Sequence, residues 1–320
     1  MIPSLGTLVA LPNFLVIGAG RSGTTSLHHY LRQHPQVFLP AVKSPSYFFC
    51  CDRPAVEDAT QRALVRHYFV ADFEEYQALF DDVRDEAAIG EVSPVYLATT
   101  HAAPRIASVL PHARLIAILR HPVDRAYARF VARVRDGLER RHDFAQVVAD
   151  EQREGLIRDV SFGTYIASGF CAHVLRTYLD RFPRGRIRIH LFEEFARDPA
   201  GVLRDLFDFL EVDRDVVVRT TTSHNRSGGV IRNPLLRFLW TRSSPLRVRL
   251  RSSLPDSTRA AAFRAFTKHL VMPALDPRLR ADLVALFRDD IERTQQLLDL
   301  DLSHWLGTGP ADAPASGAVP

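Results

Sequence analysis

The sequence predicts an α/β fold, a doubly wound and mainly parallel sheet flanked by helices. Three observations carry the prediction. Short apolar runs rich in β-branched residues recur along the chain, segments of helical periodicity fall between them, and the first run passes directly into a glycine-rich turn that opens a helix. A strand covered on both faces has no polar side to present, so it reads as a continuous apolar run.

The strands are read as Phe14 to Ile17, Ile89 to Val92, Leu115 to Leu119 and Ile187 to Phe192. Thr24 to Gln33, Val123 to Val134, Thr164 to Arg181 and Pro199 to Leu210 repeat apolar residues at steps of three and four, which puts them on one helical stripe. A last helix, about Pro277 to Leu298, aligns Leu279, Leu283, Leu286, Phe287 and Ile291 as a packing face. No linker divides the 320 residues, so 1–306 are read as a single domain. The stretch 307–320 is small, Pro-rich and without aromatics, and is read as a disordered tail. In a sheet of this kind the ligand sits at the carboxyl ends of the strands.

Lys plus Arg number 41 against 37 Asp plus Glu, and only Lys43 and Lys268 are lysines. A net charge of +4 is too small to imply nucleic acid, but arginines gathered in one cleft suit a multiply charged small anion. Cys50, Cys51 and Cys171 form neither a disulfide framework nor a metal-ligand spacing. The apolar stretch Leu8 to Ile17 is broken by Pro12 and Asn13 and has no basic flank or cleavage site, and no run is long enough to span a bilayer. A cytoplasmic, reducing location is the expectation. Oligomeric state is not readable from the chain.

The turn after the first strand reads Gly18-Ala19-Gly20-Arg21-Ser22-Gly23-Thr24-Thr25-Ser26. Its glycines let backbone N–H groups converge, and the helix that follows adds positive charge at its N-terminus, so the turn suits a phosphate. The glycine spacing is that of a P-loop, yet Thr24 stands where a nucleotide triphosphatase carries its lysine, and the nearest cation is Arg21 inside the turn. A cation placed there can lie against the bridging oxygen of a shorter, phosphate–sulfate anhydride. The strand Leu115 to Leu119 then delivers Arg120, followed by a Pro-started helix, and this offers a guanidinium fork to a second phosphate.

The run FLVIGAGRSGTTSLHHYLRQHPQVFLP resembles the 5′-phosphosulfate loop of sulfotransferases that use 3′-phosphoadenosine 5′-phosphosulfate (PAPS), in particular the bacterial and Golgi-type carbohydrate enzymes. Many members have lysine where Arg21 stands, and the tyrosylprotein sulfotransferases have arginine. The segment from Arg120 is similar to the family's 3′-phosphate motif, R-x-P-x-x-R-x-x-S, except that position 128 is Ala. GTYIASGFCAHVLRTYLDRFPRGRIRIHLFEEFARDPAGVLRDLFDFLEVD and the final D-L-S-x-W also resemble family blocks, with Cys171 in a slot often held by tyrosine. The resemblance implies a P-loop-type sulfotransferase fold, PAPS as donor, 3′-phosphoadenosine 5′-phosphate (PAP) as product, and no metal. It implies cofactor contacts from Arg21, Ser22, Gly23, Thr24, Thr25, Ser26 and Arg120. Lys268 is the counterpart of a basic loop that closes over the 3′-phosphate in relatives; a plain solvent-facing lysine is the alternative.

Catalysis of sulfuryl transfer comes from positioning and charge, with a base near the acceptor. Arg21 is assigned to the leaving phosphate. In heparan-type relatives a glutamate base follows the second strand, but here the stretch is Lys43-Ser44-Pro45-Ser46-Tyr47-Phe48-Phe49, with Ser44 in that slot. The remaining candidate is Glu91, in a segment resembling E-K-[ST]-P-x-Y with Val92 in the lysine position. It reads either as a partly buried base of raised pKa or as a structural cap or salt-bridge partner. Lys43 reads as a sulfate or substrate contact or as a surface lysine. His28, His29, His67, His101, His121 and His224 carry no pattern of their own, although a histidine base stays open. The acceptor is a small molecule or glycan with a hydroxyl: carbohydrate, lipid or secondary metabolite. A P-loop kinase and a non-catalytic nucleotide-binding protein are the competing readings.

Overall fold

The computed structural model describes residues 10–50, 69–136, 138–155, 164–220, 230–231, 270–271 and 274–307. Lys268, His67, Tyr68, His224, Cys51 and the tail beyond Gly307 lie outside the described residues. Five parallel strands form the main sheet: β1 (Phe14–Gly18), β2 (Val37–Phe38), β3 (Ala88–Val92), β4 (Arg114–Leu119) and β5 (Ile187–Leu191). Their order across the sheet is β2-β3-β1-β4-β5, so the winding reverses at β1. A two-stranded antiparallel ribbon pairs β6 (Val230–Ile231) with β7 (Leu270–Val271).

The helices are α1 (Thr24–Leu31), α2 (Tyr47–Cys50), α3 (Phe73–Ala78), α4 (Ala102–Val109), α5 (Pro122–Asp136), α6 (Phe144–Arg153), α7 (Ala172–Leu179), α8 (Phe192–Arg197), α9 (Pro199–Leu210) and α10 (Pro277–Leu298). Alternation along the buried strands feeds two cores. Leu15, Ile17, Leu115 and Leu119 face one layer with Phe48, Tyr96, Leu175 and Phe287. Phe14, Val16, Ile116 and Ile118 face the other with Leu27, Leu31, Leu206 and Phe207. Both faces being apolar is why β1 and most of β4 read as unbroken hydrophobic runs.

Two expectations are corrected. Phe192 is not the end of a strand; it opens α8, where the Leu191 N–H donates to the Glu194 side chain at 3.3 Å. Thr164 to Arg181 is not one helix, because only Ala172–Leu179 is helical, preceded by a 3-10 turn at Ala167–Gly169. The reason is two carboxylates, one buried and one half-buried, that capture backbone donors. Glu151 accepts from the N–H groups of Tyr165, Ile166 and Ala167 at 2.9, 3.0 and 2.9 Å, and Asp290 accepts from Cys171 N–H at 2.8 Å. Gly169 is also crowded, since a Cβ there would come within 2.4 Å of the Phe287 ring. The last helix packs as expected, with Leu283, Phe287 and Ile291 buried and Leu279 and Leu286 at the margin of the core. It is also tied to α5 through Arg280, whose guanidinium grips the Asp124 carboxylate at 2.5 and 3.2 Å.

Candidate active site

The reversal at β1 leaves a crevice outside the carboxyl ends of β1, β3 and β4, and three chain segments emerge there. β1 runs into the glycine turn, β3 into Ser93-Pro94, and β4 into Arg120. The turn is tight. Ala19 N–H donates to Ile118 O of the neighbouring strand at 2.8 Å, and Ser22 N–H returns to Ala19 O at 3.2 Å. Arg21 takes φ 70° and Gly23 φ 81°. An arginine in the left-handed region is held there at some strain, a condition that recurs at ligand sites. No acidic residue stands in the first turn of α1, and its N-cap supplies no side-chain acceptor, so its leading N–H groups face the crevice without a side-chain cap.

Of the turn hydroxyls, Ser22 Oγ is fully buried and has no hydrogen-bond partner among the described residues. Thr24 is buried, Thr25 is half-buried, and the Ser26 hydroxyl engages the Tyr30 phenol. Gly23 lies against α8, where an added Cβ would meet two atoms of the Phe195 ring at 3.0 Å. Gly23→Ala therefore combines backbone strain with a wall that must move. We expect it to lower stability by about 1–3 kcal/mol, read from the denaturant midpoint, and an unchanged midpoint would show that the turn relaxes freely.

Arg120 reaches across to this turn. Its Nη1 donates to the Arg21 carbonyl at 2.9 Å, and its guanidinium carbon stands 4.5 Å above the Phe192 ring. Two cations 99 residues apart in sequence are thus joined in one crevice. Both have lowered pKa values. For Arg21 burial is the first cause and Arg135 the next; for Arg120 burial is again first, countered by Asp124 and Glu193. Phe192, Phe195 and Glu193 belong to this wall but were missed in the sequence, which ran β5 through Phe192. The proximity of a fifth strand's carboxyl end was the available signal. Ala128, where a hydroxyl was expected by resemblance, is fully buried on α5. Behind the turn a cavity of ≈ 20 Å³, room for about one water, is bordered by Ala19, Arg120, Arg125 and Trp305.

Lys43 comes to the same place from the loop between β2 and α2. Burial lowers its pKa first and the charge of Arg21 second. Ser44 and Ser46, on either side of Pro45, take φ 63° and 58°. What holds this bent segment is Glu91. Its Oε2 accepts from Ser93 Oγ at 2.8 Å, and its Oε1 accepts from Tyr96 and Tyr76 hydroxyls at 2.8 and 3.1 Å. Ser93 Oγ in turn accepts Ser46 N–H at 2.9 Å, and Tyr96 Oη accepts Phe48 N–H at 3.3 Å. Glu91 is 0% exposed, not partly buried as expected, and both its oxygens are engaged inward. Burial raises its pKa to about 7 against the pull of those three hydroxyls. A pKa in this range suits a base, but reach decides first, and among the described residues the carboxylate bonds only to its own hydroxyl partners.

His28 is buried with its pKa lowered to about 4, by burial first and then by Lys43. His121 is likewise lowered to about 4 by burial and pairs with Trp305 O at 3.0 Å. His29 and His101 are exposed.

Residues 12–215 match the family described as "Sulfotransferase family". The chain is similar to a solved structure of a sulfotransferase from Alicyclobacillus acidocaldarius, at 31% identity and TM-score 0.69, covering 93% of this chain and 99% of that one. Over 129 residues, 40% of the chain and 24% of the relative, it is 36% identical to the membrane-associated sulfotransferase kil1 of Dictyostelium discoideum. Over 211 residues it is 28% identical to heparan sulfate glucosamine 3-O-sulfotransferase 3B1 of Mus musculus, covering 64% of the chain and 47% of that protein. The matches thus span less than half the length of these two curated relatives.

Proposed function

Because the chain belongs to the sulfotransferase family, we propose that it moves the sulfuryl group of PAPS to an acceptor hydroxyl on a carbohydrate, lipid or secondary metabolite. The observation that carries this reading is the 2.9 Å contact of Arg120 with the Arg21 carbonyl, which brings the half-buried Arg120 guanidinium onto the turn that carries the half-buried Arg21. A nucleotide with phosphosulfate at one end and a 3′-phosphate at the other needs cations at both ends of a single cleft. The groups available fit such a donor: two guanidinium forks, leading N–H groups of α1 without a side-chain cap, and the orphaned Ser22 hydroxyl.

The donor supplies an activated sulfuryl group; the chain supplies position and charge. Arg21 takes up the charge that develops on the departing phosphate oxygen. Ser22, Gly23, Thr24, Thr25 and Ser26 cradle the 5′ end, Arg120 grips the 3′-phosphate, and Lys43 orients the sulfuryl group. Lys268 joins the 3′ end in this reading. The acceptor oxygen bonds to sulfur as the bond from sulfur to the phosphate oxygen breaks, and the acceptor proton is released. Glu91 acts as a positioning residue, pinning Ser46 and Phe48 behind Lys43 through Ser93 and Tyr96.

The test is comparative. PAP should raise the melting temperature more than ATP with magnesium does, and Arg120→Ala should remove the difference. A larger effect of ATP with magnesium would favour a kinase. Stabilisation by PAP, with no transfer of label to any hydroxyl or amine acceptor, would favour a protein that only binds the nucleotide.

A further inference from the structure

The cations around the crevice exceed those the donor uses. Arg125, Arg129 and Arg133 follow one another at four-residue steps on α5 and share a face. Arg125 donates to Ser168 Oγ at 3.3 Å beside the small cavity, and Arg133 donates to the Tyr165 hydroxyl at 3.1 Å and to Leu138 O at 3.4 Å. Arg129, between them, is half-buried and has no hydrogen-bond or ion-pair partner among the described residues.

Carboxylates on and around α5 are already engaged. Asp124 is held by Arg280, Glu151 by three backbone N–H groups, Glu139 and Asp150 by Arg141, and Asp136 by Arg135. Arg129 is therefore a half-buried cation without a counterion of its own among the described residues. Its pKa is brought down to about 10, by burial first and then by Arg125, Arg133 and Arg21. Of these, Arg21 is the arginine of the glycine turn. Lys43 is disfavoured by Arg21 too, and Asp136, which offsets the charge of Arg21, is itself paired with Arg135.

We propose that Arg129 forms an anion subsite for the acceptor, receiving a carboxylate, sulfate ester or phosphate ester carried beside the hydroxyl to be sulfated. The inference rests on the sulfuryl-transfer reading and deepens it: the preferred acceptor is anionic. The donor's two charged ends are served by Arg21 and Arg120, and Arg129 stands about 10 Å along the helix axis from Pro122, one turn beyond Arg125.

The experiment titrates inorganic sulfate against protein already saturated with PAP and follows the melting temperature. Wild type should show further, saturable stabilisation. Arg129→Gln should weaken sulfate binding by roughly 10- to 100-fold while PAP still stabilises it, and Arg129→Lys should recover part of the response because charge is retained. In transfer assays, the KM advantage of a carboxylated sugar over its neutral parent should shrink in Arg129→Gln. An unchanged sulfate response overturns the proposal. So does a loss of the PAP response in Arg129→Gln, which would assign the residue to the nucleotide. If PAP fails to stabilise even wild type, it is the sulfuryl-transfer reading that falls.

Discussion

Arg21→Ala is expected to slow sulfuryl transfer by about 10²- to 10³-fold at saturating donor, with no loss of thermal stability in the free protein. The two halves of this expectation come from one fact. Arg21 is a half-buried cation whose charged form is disfavoured by burial first and then by Arg135, with Asp136 opposing and Arg120 adding to the effect, and it takes φ 70°. In the free protein its charge works against the fold, so removing it should leave the melting temperature level or higher. In the reacting complex the same charge meets a developing anion in a site of low dielectric, where it counts for most. The carbonyl that accepts from Arg120 belongs to the backbone and survives the substitution. Arg21→Lys should retain more of the rate than Arg21→Ala. Unaltered turnover in Arg21→Ala would remove Arg21 from the chemistry, and a large fall in melting temperature would mean that its role is structural.

The second large effect concerns Glu91. Glu91→Ala leaves three buried hydroxyls without their acceptor and a gap among aromatic rings, and should lower stability by about 3–5 kcal/mol. Glu91→Gln keeps the shape and isolates the charge. The carboxyl has a folded pKa of about 7 against an ordinary 4.5, with burial as the first cause. Between these values the folded chain holds a proton that the unfolded chain has released, so stability falls as pH rises through the window. Relative to Glu91→Gln, wild type should be most stable at the acid end, near pH 4.5. It should lose on the order of 3 kcal/mol by about pH 7 and change little above that. Urea unfolding at a series of pH values measures this directly. A difference that stays flat with pH would show that the group is not ionising there, and the opposite slope would show that it gains more from its hydroxyl partners than it loses to burial.

The parts of the fold that were legible in the sequence were those fixed by local pattern. The runs at β1, β3 and β4 lie where they were read, because strands buried on both faces are dominated by apolar residues, Glu91 in β3 being the exception. Arg21 and Arg120 could be nominated because each follows a strand whose direction is set by the sheet. Illegible were the features made by partners distant in sequence. Nothing near Thr164 announces that Glu151 will claim the next backbone donors, and nothing near Cys171 announces Asp290. Glu91 was misjudged in burial for the same reason: its three hydroxyl partners come from α3, from Ser93 and from the 3-10 turn at Tyr96–Ala98. Arg129 carried no motif, and its significance lies in missing partners, which only an assembled neighbourhood reveals. The 192–195 segment was hidden by a strand read one residue too long.

The two apolar layers on either side of the sheet also divide the crevice between them. Phe195, which backs Gly23, is rooted in one layer, whereas Phe48, Tyr76 and Tyr96, which carry the Lys43 side, are rooted in the other. The crevice is thus a seam between two separately upholstered halves, with the sheet as their common spine. Repacking the Phe195 layer should loosen the turn at Gly23, and repacking the other should shift the segment that carries Lys43.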